Sequence, residues 1–355
     1  MKLTVLIATC NRREALGRAL ESLFCESNLP RRDWEVVVVL NGVVNDGSRE
    51  VCEAFRSRYP EHFRHLAEPR QGKSNALNMG IGAARGEILA LTDDDVICAP
   101  DYVASVISVF EQYPVDLAQG RVFLECEGGL PGWMAPRLRE FMSDFDCGDA
   151  LLLPFDHHMT GTNMIVRRAA ARAVGGFAPE LGAGARLGFA EDTEFSLRLR
   201  QGGYRTMYAP QIVVRHQLPR HRLTMSFFRE SYFRVGRSQA YYLSCDIPVW
   251  KYGRYALKDS FLTELKALLR RCGGHRAESL ELQCMARWQI GFAWQHCLFR
   301  CGVSRRLTRV TSWPEPADAR GASIDSLSGA EPARQKTTDL VSHRSGASDP
   351  SGSAI

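Results

Sequence analysis

The first part of the chain alternates between short apolar runs and segments in which apolar residues recur at helical spacing. Residues 3–8 and 35–40 are almost entirely apolar, which is typical of strands covered on both faces of a parallel sheet. Asn11, with Glu14 three residues later, resembles a capping box that starts a helix between these strands. That helix would bury one apolar face, formed by Ala15, Leu16, Ala19, Leu20, Leu23 and Phe24.

The same alternation continues toward the middle of the chain and predicts the fold class. Strand and helix in regular succession predict an α/β protein with a doubly wound, mostly parallel sheet. Such sheets bind ligands at the carboxyl ends of their strands, where Asn41 and the aspartates at 93–95 are expected to lie. Further strands are expected at 63–67, 87–91, 160–166 and 204–214, and further helices at about 51–59 (with Pro60 following), 74–84, 100–113 and 191–201.

The composition changes after residue 217. Between Arg220 and Arg309 the sequence has 17 Lys and Arg against 6 Asp and Glu, with aromatic residues interleaved. Helical periodicity returns at 261–269 and 280–299, whereas the residues from Pro314 onward are rich in Ser, Ala, Gly and Pro, which predicts disorder. We therefore expect an α/β domain with two halves, a basic helical region and a disordered tail, at 1–98, 99–217, 218–313 and 314–355.

The overall composition narrows the class of protein without assigning chemistry. The net charge of +5 over 355 residues is mild, so no nucleic-acid partner is indicated. No signal peptide is visible, and no segment approaches the roughly 18 apolar residues of a membrane span. The 11 cysteines form no C-x-x-C pair, so we expect reduced thiols in a cytoplasmic protein rather than a zinc site or disulfides.

Three adjacent carboxylates follow the apolar run at 88–91, at Asp93, Asp94 and Asp95. Like charges side by side repel, so this placement favours a bound cation. If the strand stays extended through position 95, Asp93 and Asp95 face one side and Asp94 the other. A D-x-D pair suits Mg²⁺ or Mn²⁺, which share carboxylate, phosphate and water oxygens. The alternative is a solvated acidic turn.

Three further stretches offer candidate chemistry, each beside an ordinary structural explanation. Lys73 lies in a Gly-Lys-Ser turn that opens a helix, which suits either a phosphate contact or a simple cap. Glu191 and Asp192 begin a helix behind a glycine-rich loop; they are either capping acids or include a general base. His216 follows a strand, where it is either a metal ligand or a satisfied structural histidine.

Taken together, these motifs resemble family 2 glycosyltransferases over residues 3–217. The order and spacing of several motifs carry the resemblance, because no single one is specific. The family has the GT-A fold, in which a nucleotide-sugar-binding half (here 1–98) joins an acceptor-binding half (99–217). The motifs are VLIATCNR at 5–12, KSNALNMG at 73–80, ARGE at 84–87, LTDDD at 91–95, TGTNM at 160–164, VGGF at 174–177, and the pairs Glu191-Asp192 and Arg198-Leu199.

The resemblance implies an inverting transfer of sugar from a nucleotide-sugar to a hydroxyl of a glycan or lipid-linked acceptor. It implies Mn²⁺ or Mg²⁺ held by Asp93, Asp95 and His216, with Asp95 the more direct ligand. Asp192 would be the general base and Glu191 its neighbour. The remaining residues implied by the family fall into two groups. Donor contacts are implied for Thr9, Asn11, Arg12, Asn41, Lys73, Asn75, Asp93 and Asp94, and acceptor contacts for Gly161, Thr162 and Asn163.

The loop after the second strand departs from the family pattern. Leu40 stands where relatives have an aspartate that reads the nucleotide, and Asn41 is a possible substitute because an amide can pair with a uracil edge. Asp46 is the other acid of this loop, and it is also suited to capping the next helix. The nucleotide therefore stays open at this point.

Alternatives remain for both the activity and the C-terminal region. A sugar nucleotidyltransferase also uses an α/β nucleotide fold with carboxylate-bound Mg²⁺, and a non-catalytic nucleotide-sugar-binding protein would keep the fold alone. The basic, aromatic stretch at 220–312 is suited to peripheral contact with an anionic membrane at the inner face of the cell. The other explanation for that stretch is a solvated helical subdomain that closes the acceptor site.

Overall fold

The computed structural model describes residues 1–25, 28, 32–243 and 249–301. Its strands are β1 Leu3–Thr9, β2 Trp34–Asn41, β3 Phe63–Glu68, β4 Ile88–Asp93, β5 Val96–Cys98, β6 Leu117–Glu125, β7 Asn163–Arg167 and β8 Thr206–Gln217. Its helices are α1 Arg13–Leu23, α2 Ser48–Arg58, α3 Lys73–Ala83, α4 Tyr102–Gln112, α5 Pro136–Phe141, α6 Arg168–Ala173, α7 Glu191–Gln201, α8 Met225–Tyr242, α9 Val249–Cys272 and α10 Arg276–Arg300, with a 3-10 turn at Arg220–Arg222.

The eight strands form one sheet in the order β3-β2-β1-β4-β7-β6-β8-β5. The first four are parallel, and β1 is central, since Leu3 pairs with both Trp34 of β2 and Ile88 of β4. Beyond β4 the sheet is mixed, because β7 is antiparallel to β4 and β6, β8 is parallel to β6, and β5 is antiparallel to β8. The predicted α/β fold with its doubly wound parallel part is confirmed.

Burial follows the apolar pattern that predicted the strands. Every residue of β2 is buried, as expected for an inner parallel strand. Helix α3 packs so closely on β1 that a Cβ added to Gly80 would lie 2.1 Å from Leu6 Cδ1. The small residues of α3 therefore bring its first turn, with Lys73, tightly against the strand ends.

The capping box predicted at Asn11 is wrong. Helix α1 has Arg12 as its N-cap residue, without a side-chain capping bond. Asn11 has a φ of +52°, and its side chain instead holds the loop after β2. Its amide donates to the carbonyl of Val43 at 3.0 Å and accepts from the N–H of Asn45 at 2.9 Å.

Asp46 links the starts of two helices. Its carboxylate accepts the backbone N–H of Arg13, the first residue of α1, at 2.7 Å, and that of Ser48, the first residue of α2, at 3.0 Å. Helix starts leave such N–H groups without intrahelical partners, and a carboxylate there is favourable. The capping alternative for Asp46 is the one the structure supports.

The strand β4 ends at Asp93, and a turn follows at residues 94 and 95 before β5 begins. The condition for strict alternation of the three aspartates is therefore not met. The turn directs Asp94 and Asp95 to a shared neighbour, whereas Asp93 remains on the strand. The predicted strand, 87–91, ended two residues too early because polar residues at the strand end carry no apolar signal.

The region after β8 is helical, as predicted. Helices α8 and α10 cross at two glycines: a Cβ on Gly236 would lie 2.1 Å from the carbonyl oxygen of Trp288, and one on Gly291 would lie 2.0 Å from that of Phe233. None of the described helices is long and apolar enough to cross a membrane. The predicted disordered tail, 314–355, lies outside the described residues.

Candidate active site

A cleft of about 760 Å³ opens at the carboxyl ends of β1, β2 and β4. This is the edge at which doubly wound sheets bind ligands. Eleven of the predicted site residues line the cleft: Thr9, Arg12, Asn41, Lys73, Asp93, Asp94, Asp95, Thr162, Glu191, Asp192 and His216. The structure thus brings together two carboxylate groups from distant parts of the chain, at 93–95 and at 191–192.

Asp93 is held by a cation and a hydroxyl. The ammonium of Lys73 donates to Asp93 Oδ1 at 2.5 Å, and Thr162 Oγ1 donates to Oδ2 at 3.2 Å. Burial raises the pKa of Asp93, but the Lys73 ammonium outweighs that effect, so the pKa lies below its ordinary value. Both carboxylate oxygens therefore already have a donor.

Asp94 is the partner of the first loop. Thr9 Oγ1 donates to Asp94 Oδ2 at 2.6 Å, and the Arg12 guanidinium donates to Oδ1 at 2.7 Å. Burial nevertheless raises the pKa of Asp94 to about 6, despite the Arg12 charge. These bonds give Asp94 a role that the sequence left open, since it anchors the loop after β1 to the end of β4.

Asp95 lies among three cationic or ionisable neighbours. Arg12 reaches it at 2.7 Å with the nitrogen that also binds Asp94, and Arg222 is 3.7 Å away. Burial opposes ionisation, but His216, Arg12 and Arg222 together hold the pKa of Asp95 well below the usual carboxyl range. Asp95 Oδ1 is buried and has no hydrogen-bond donor among the described residues.

His216 presents its second ring nitrogen to that free oxygen. Its Nδ1 lies 3.0 Å from the carbonyl oxygen of Met142, which accepts only, so Nδ1 carries the proton. The other ring nitrogen, Nε2, lies 3.4 Å from Asp95 Oδ1, so the ring is one of the groups that favour the ionised form of Asp95. A buried carboxylate oxygen beside such a nitrogen fits a divalent cation.

The protein donors form only part of a metal site. In the described part of the chain, no three His, Cys, Asp or Glu side chains converge to hold a metal ion. Of the predicted ligands, Asp95 and His216 lie together, whereas both oxygens of Asp93 are engaged by Lys73 and Thr162. Manganese and magnesium commonly complete their coordination with phosphate and water oxygens, so a partial set remains compatible with either ion.

The second carboxylate group begins α7. Ala190, its N-cap residue, has a φ of +67°, a left-handed conformation that is strained for alanine and recurs at functional sites. Asp192 follows it: Oδ2 accepts the N–H of Gly161 at 2.8 Å, and Oδ1 accepts that of Thr193 at 2.7 Å. These two bonds fix the orientation of Asp192 at the cleft wall.

Glu191 shares a cation with the first group. The ammonium of Lys73 lies 3.5 Å from Glu191 Oε1, in addition to its bond with Asp93. Burial and the neighbouring Asp192 carboxylate raise the pKa of Glu191 to about 7, against the attraction of Lys73. Lys73 is therefore the link between the two carboxylate groups, and its own pKa is raised by them despite burial.

Other predicted residues are committed to the scaffold. The Asn41 amide donates to the carbonyls of Glu68 and Arg70 and accepts the N–H of Gly72. These bonds hold the loop before α3, and they occupy the same amide N–H and C=O groups that were expected to pair with a nucleotide base. Four predicted residues are absent from the cleft lining: Asn11, Asn75, Gly161 and Asn163. The side chain of Asn75 donates to the carbonyl of Gln71. Asn163 of β7 is fully buried, and its amide donates to carbonyls of β6 and β8.

A helical subdomain that closes the acceptor site was one explanation for the region after β8, but none of its residues was predicted as a site residue. The cleft is also lined by Arg222 of the 3-10 turn and by Phe227, Arg234 and Gln239 of α8. Arg222 offered one signal, because the basic run 220–222 begins three residues after the strand that carries His216. The α8 residues gave no signal, because only the tertiary arrangement turns that face toward the cleft.

The fold and the carboxylate-lined cleft define the class of protein. The mannosyltransferase PcManGT from Pyrobaculum calidifontis, solved in complex with GDP-Man and Mn²⁺, has a TM-score of 0.55 to this chain. The alignment covers 83% of this chain and 87% of that one at 20% identity. The chain has the GT-A fold.

Residues 4–175, just under half of the chain, match the model of glycosyl transferase family 2, and this domain belongs to that family. It is similar to an uncharacterized glycosyltransferase, alr2836, of Nostoc sp., with 31% identity over 31% of this chain but only 33% of that protein. It is also 24% identical to the glucosyl-dolichyl phosphate glucuronosyltransferase of Haloferax volcanii, over 62% of this chain and 71% of that protein. The family assignment makes the chain a glycosyltransferase rather than a nucleotidyltransferase.

Proposed function

We propose that the chain transfers a sugar from a nucleoside-diphosphate sugar to an acceptor hydroxyl with inversion at the anomeric carbon. One observation carries the proposal: Lys73 binds Asp93 and lies 3.5 Å from Glu191. That contact brings a cation-binding carboxylate group and a second, base-bearing carboxylate group into a single cleft. A single displacement needs both, one where the leaving group departs and one where the acceptor loses its proton.

We assign the leaving-group side to the cluster after β4. Asp95 and His216 would hold Mn²⁺ or Mg²⁺, and Asp93 would contribute once Lys73 turns toward the bound phosphates. When bound, such an ion neutralises the charge that builds on a departing diphosphate. Arg12 and Arg222 line the same part of the cleft, and as guanidinium groups they are suited to bind phosphate oxygens.

We assign the acceptor side to the start of α7. Asp192 would accept the acceptor proton as the hydroxyl oxygen attacks, because its two backbone bonds hold each oxygen by one lone pair and leave another free. Glu191 would position Asp192 and Lys73. Thr162, which lines the cleft, would border the acceptor, and Gly161 would act through the N–H that orients Asp192.

The substrates are proposed by class only. The Mn²⁺ and GDP-Man of the Pyrobaculum structure, and the glucosyl-dolichyl phosphate in the name of the Haloferax relative, support a nucleotide-sugar donor and a glycan or lipid-linked acceptor. We keep the division into a donor half, 1–98, and an acceptor half, 99–217, as part of this proposal. We add that α8 belongs functionally to the acceptor half, since it forms one wall of the cleft.

Incubation with a panel of nucleotide-sugars, Mn²⁺ and candidate acceptors tests the proposal. Release of nucleoside diphosphate together with a product of inverted anomeric configuration, read by NMR, is the expected result. Full activity in the presence of a chelator would contradict the metal role. Retention of configuration would contradict the single displacement.

A further inference from the structure

Helix α9 carries its large apolar side chains on the outside. Among the α9 residues whose burial the structure describes (253, 254 and 256–272), the buried ones are small, namely Ala256, Ser260 and Ala267, and they face α10. The large apolar residues of the same stretch are 42–70% exposed, and they occupy the opposite side of the helix: Leu257, Phe261, Leu262, Leu265, Leu268 and Leu269. We call these six residues the α9 stripe. Large apolar side chains are normally the buried ones, so an exposed stripe of this size marks a contact surface.

Polar bonds fix this orientation of α9. Ser260 donates to the carbonyl of Ala286 and to Gln289, Ser279 of α10 donates to the carbonyl of Ala267 at 2.8 Å, and Gln289 donates to Asp259. A rotation of α9 that buried the α9 stripe would break all of them. The outward stripe is therefore built into the packing of α9 on α10.

The charge on this helix identifies what the stripe contacts. Helix α9 has six Lys and Arg against two Asp and Glu, and Lys258 and Lys266 are exposed beside the stripe. An amphipathic helix with large apolar residues and flanking lysines suits the interface of an anionic bilayer. We propose that the α9 stripe docks the protein on the surface of an anionic membrane.

Two other occupants fit less well. A second copy of the chain, paired stripe to stripe, would bring Lys258 and Lys266 close to their own counterparts, and like charges repel. The second alternative occupant is the C-terminal segment of the chain itself. Residues 314–355 contain five large apolar side chains: Ile324, Leu327, Leu340, Val341 and Ile355. That is too few, at too wide a spacing, to cover a stripe of six.

Vesicle flotation of the full chain tests this proposal independently of the enzymatic one. Vesicles of phosphatidylcholine, with and without a third of phosphatidylglycerol, are the probes, each at low and high NaCl. We expect flotation with the anionic vesicles that weakens as salt rises. The double variant Phe261→Ser with Leu265→Ser is expected to weaken partitioning about tenfold or more, and Lys258→Gln with Lys266→Gln is expected to weaken it by a similar factor on anionic vesicles only.

Val43→Ser is the matched control. Val43 is also an exposed apolar residue, at 80%, but it lies in the loop after β2 and not on α9. It is expected to float like the unaltered chain, and circular dichroism confirms that each variant is folded. Absence of flotation, or equal flotation of the stripe variant, would overturn the proposal. A dimer in light scattering that the stripe variant converts to a monomer would assign the stripe to a second copy instead.

Discussion

The two carboxylate groups of the cleft contain the same residue types but differ in their electrostatics. In the turn after β4, cations hold the pKa of Asp93 and of Asp95 below the ordinary carboxyl range. At the start of α7, Glu191 is buried beside Asp192 with a single shared cation, and its pKa rises to about 7. Asp94 shares Arg12 with Asp95, yet burial raises its pKa to about 6, so the balance between burial and nearby cations decides which carboxylates stay ionised.

This contrast matches the division of labour proposed for the site. A carboxylate that stays charged at any ordinary pH is suited to hold a metal ion, and a group that titrates near neutrality is suited to proton transfer or to tuning it. Lys73 contacts both carboxylate groups, so replacing it tests most strongly whether the two groups are coupled.

Replacement of Lys73 by Met is expected to have the largest effect on the folded state. It leaves Asp93 and Glu191 without their common cation; because the Lys73–Asp93 pair is only partly buried, we expect a loss of about 2–3 kcal/mol, less than for a fully buried pair. Urea denaturation measures the loss, and Lys258→Met, at an exposed position of α9, is the matched control. A loss of stability no larger than that of the control would show that the two groups are not coupled through Lys73.

Replacement of Arg12 by Gln is expected to act on the first group alone. Asp94 and Asp95 lose the nitrogen that binds both at 2.7 Å, so we expect a stability loss of about 2 kcal/mol. Arg222→Gln, which removes a contact of 3.7 Å, is expected to cost less. Equal effects of the two variants in urea denaturation would contradict the geometry of Asp95.

Replacement of Glu191 by Gln is expected to act on the pH dependence of stability rather than on stability at a single pH. Because the folded-state pKa of Glu191 is raised from 4.5 to about 7, its contribution to stability is present at low pH and is lost as pH rises through that window. Unfolding free energies of the unaltered chain should therefore fall between about pH 4.5 and pH 7 relative to those of the variant. Parallel pH profiles would mean that Glu191 is not titrating there.

The strands and helices could be predicted from the sequence more accurately than the roles of individual polar side chains. Strand order along the chain, the helix at 191–201 and the position of the aspartates followed from apolar spacing, which reports burial directly. The roles of Asn11 and Asn41 did not follow, because their amides bind backbone groups of loops brought close only by folding. Arg222 was missed for the same reason, since its distance to Asp95 depends on the turn after β8.

The central claim is that the two carboxylate groups do different work, and paired variants test it most directly. Binding of UDP or GDP with Mn²⁺ is measured by calorimetry, and sugar transfer is measured alongside it, for Asp95→Asn and Asp192→Asn. We predict that Asp95→Asn loses nucleotide binding by at least about tenfold. Asp192→Asn should keep that binding and lose transfer by about a thousandfold. Normal transfer by Asp192→Asn, or nucleotide binding unaltered in Asp95→Asn, would contradict the account.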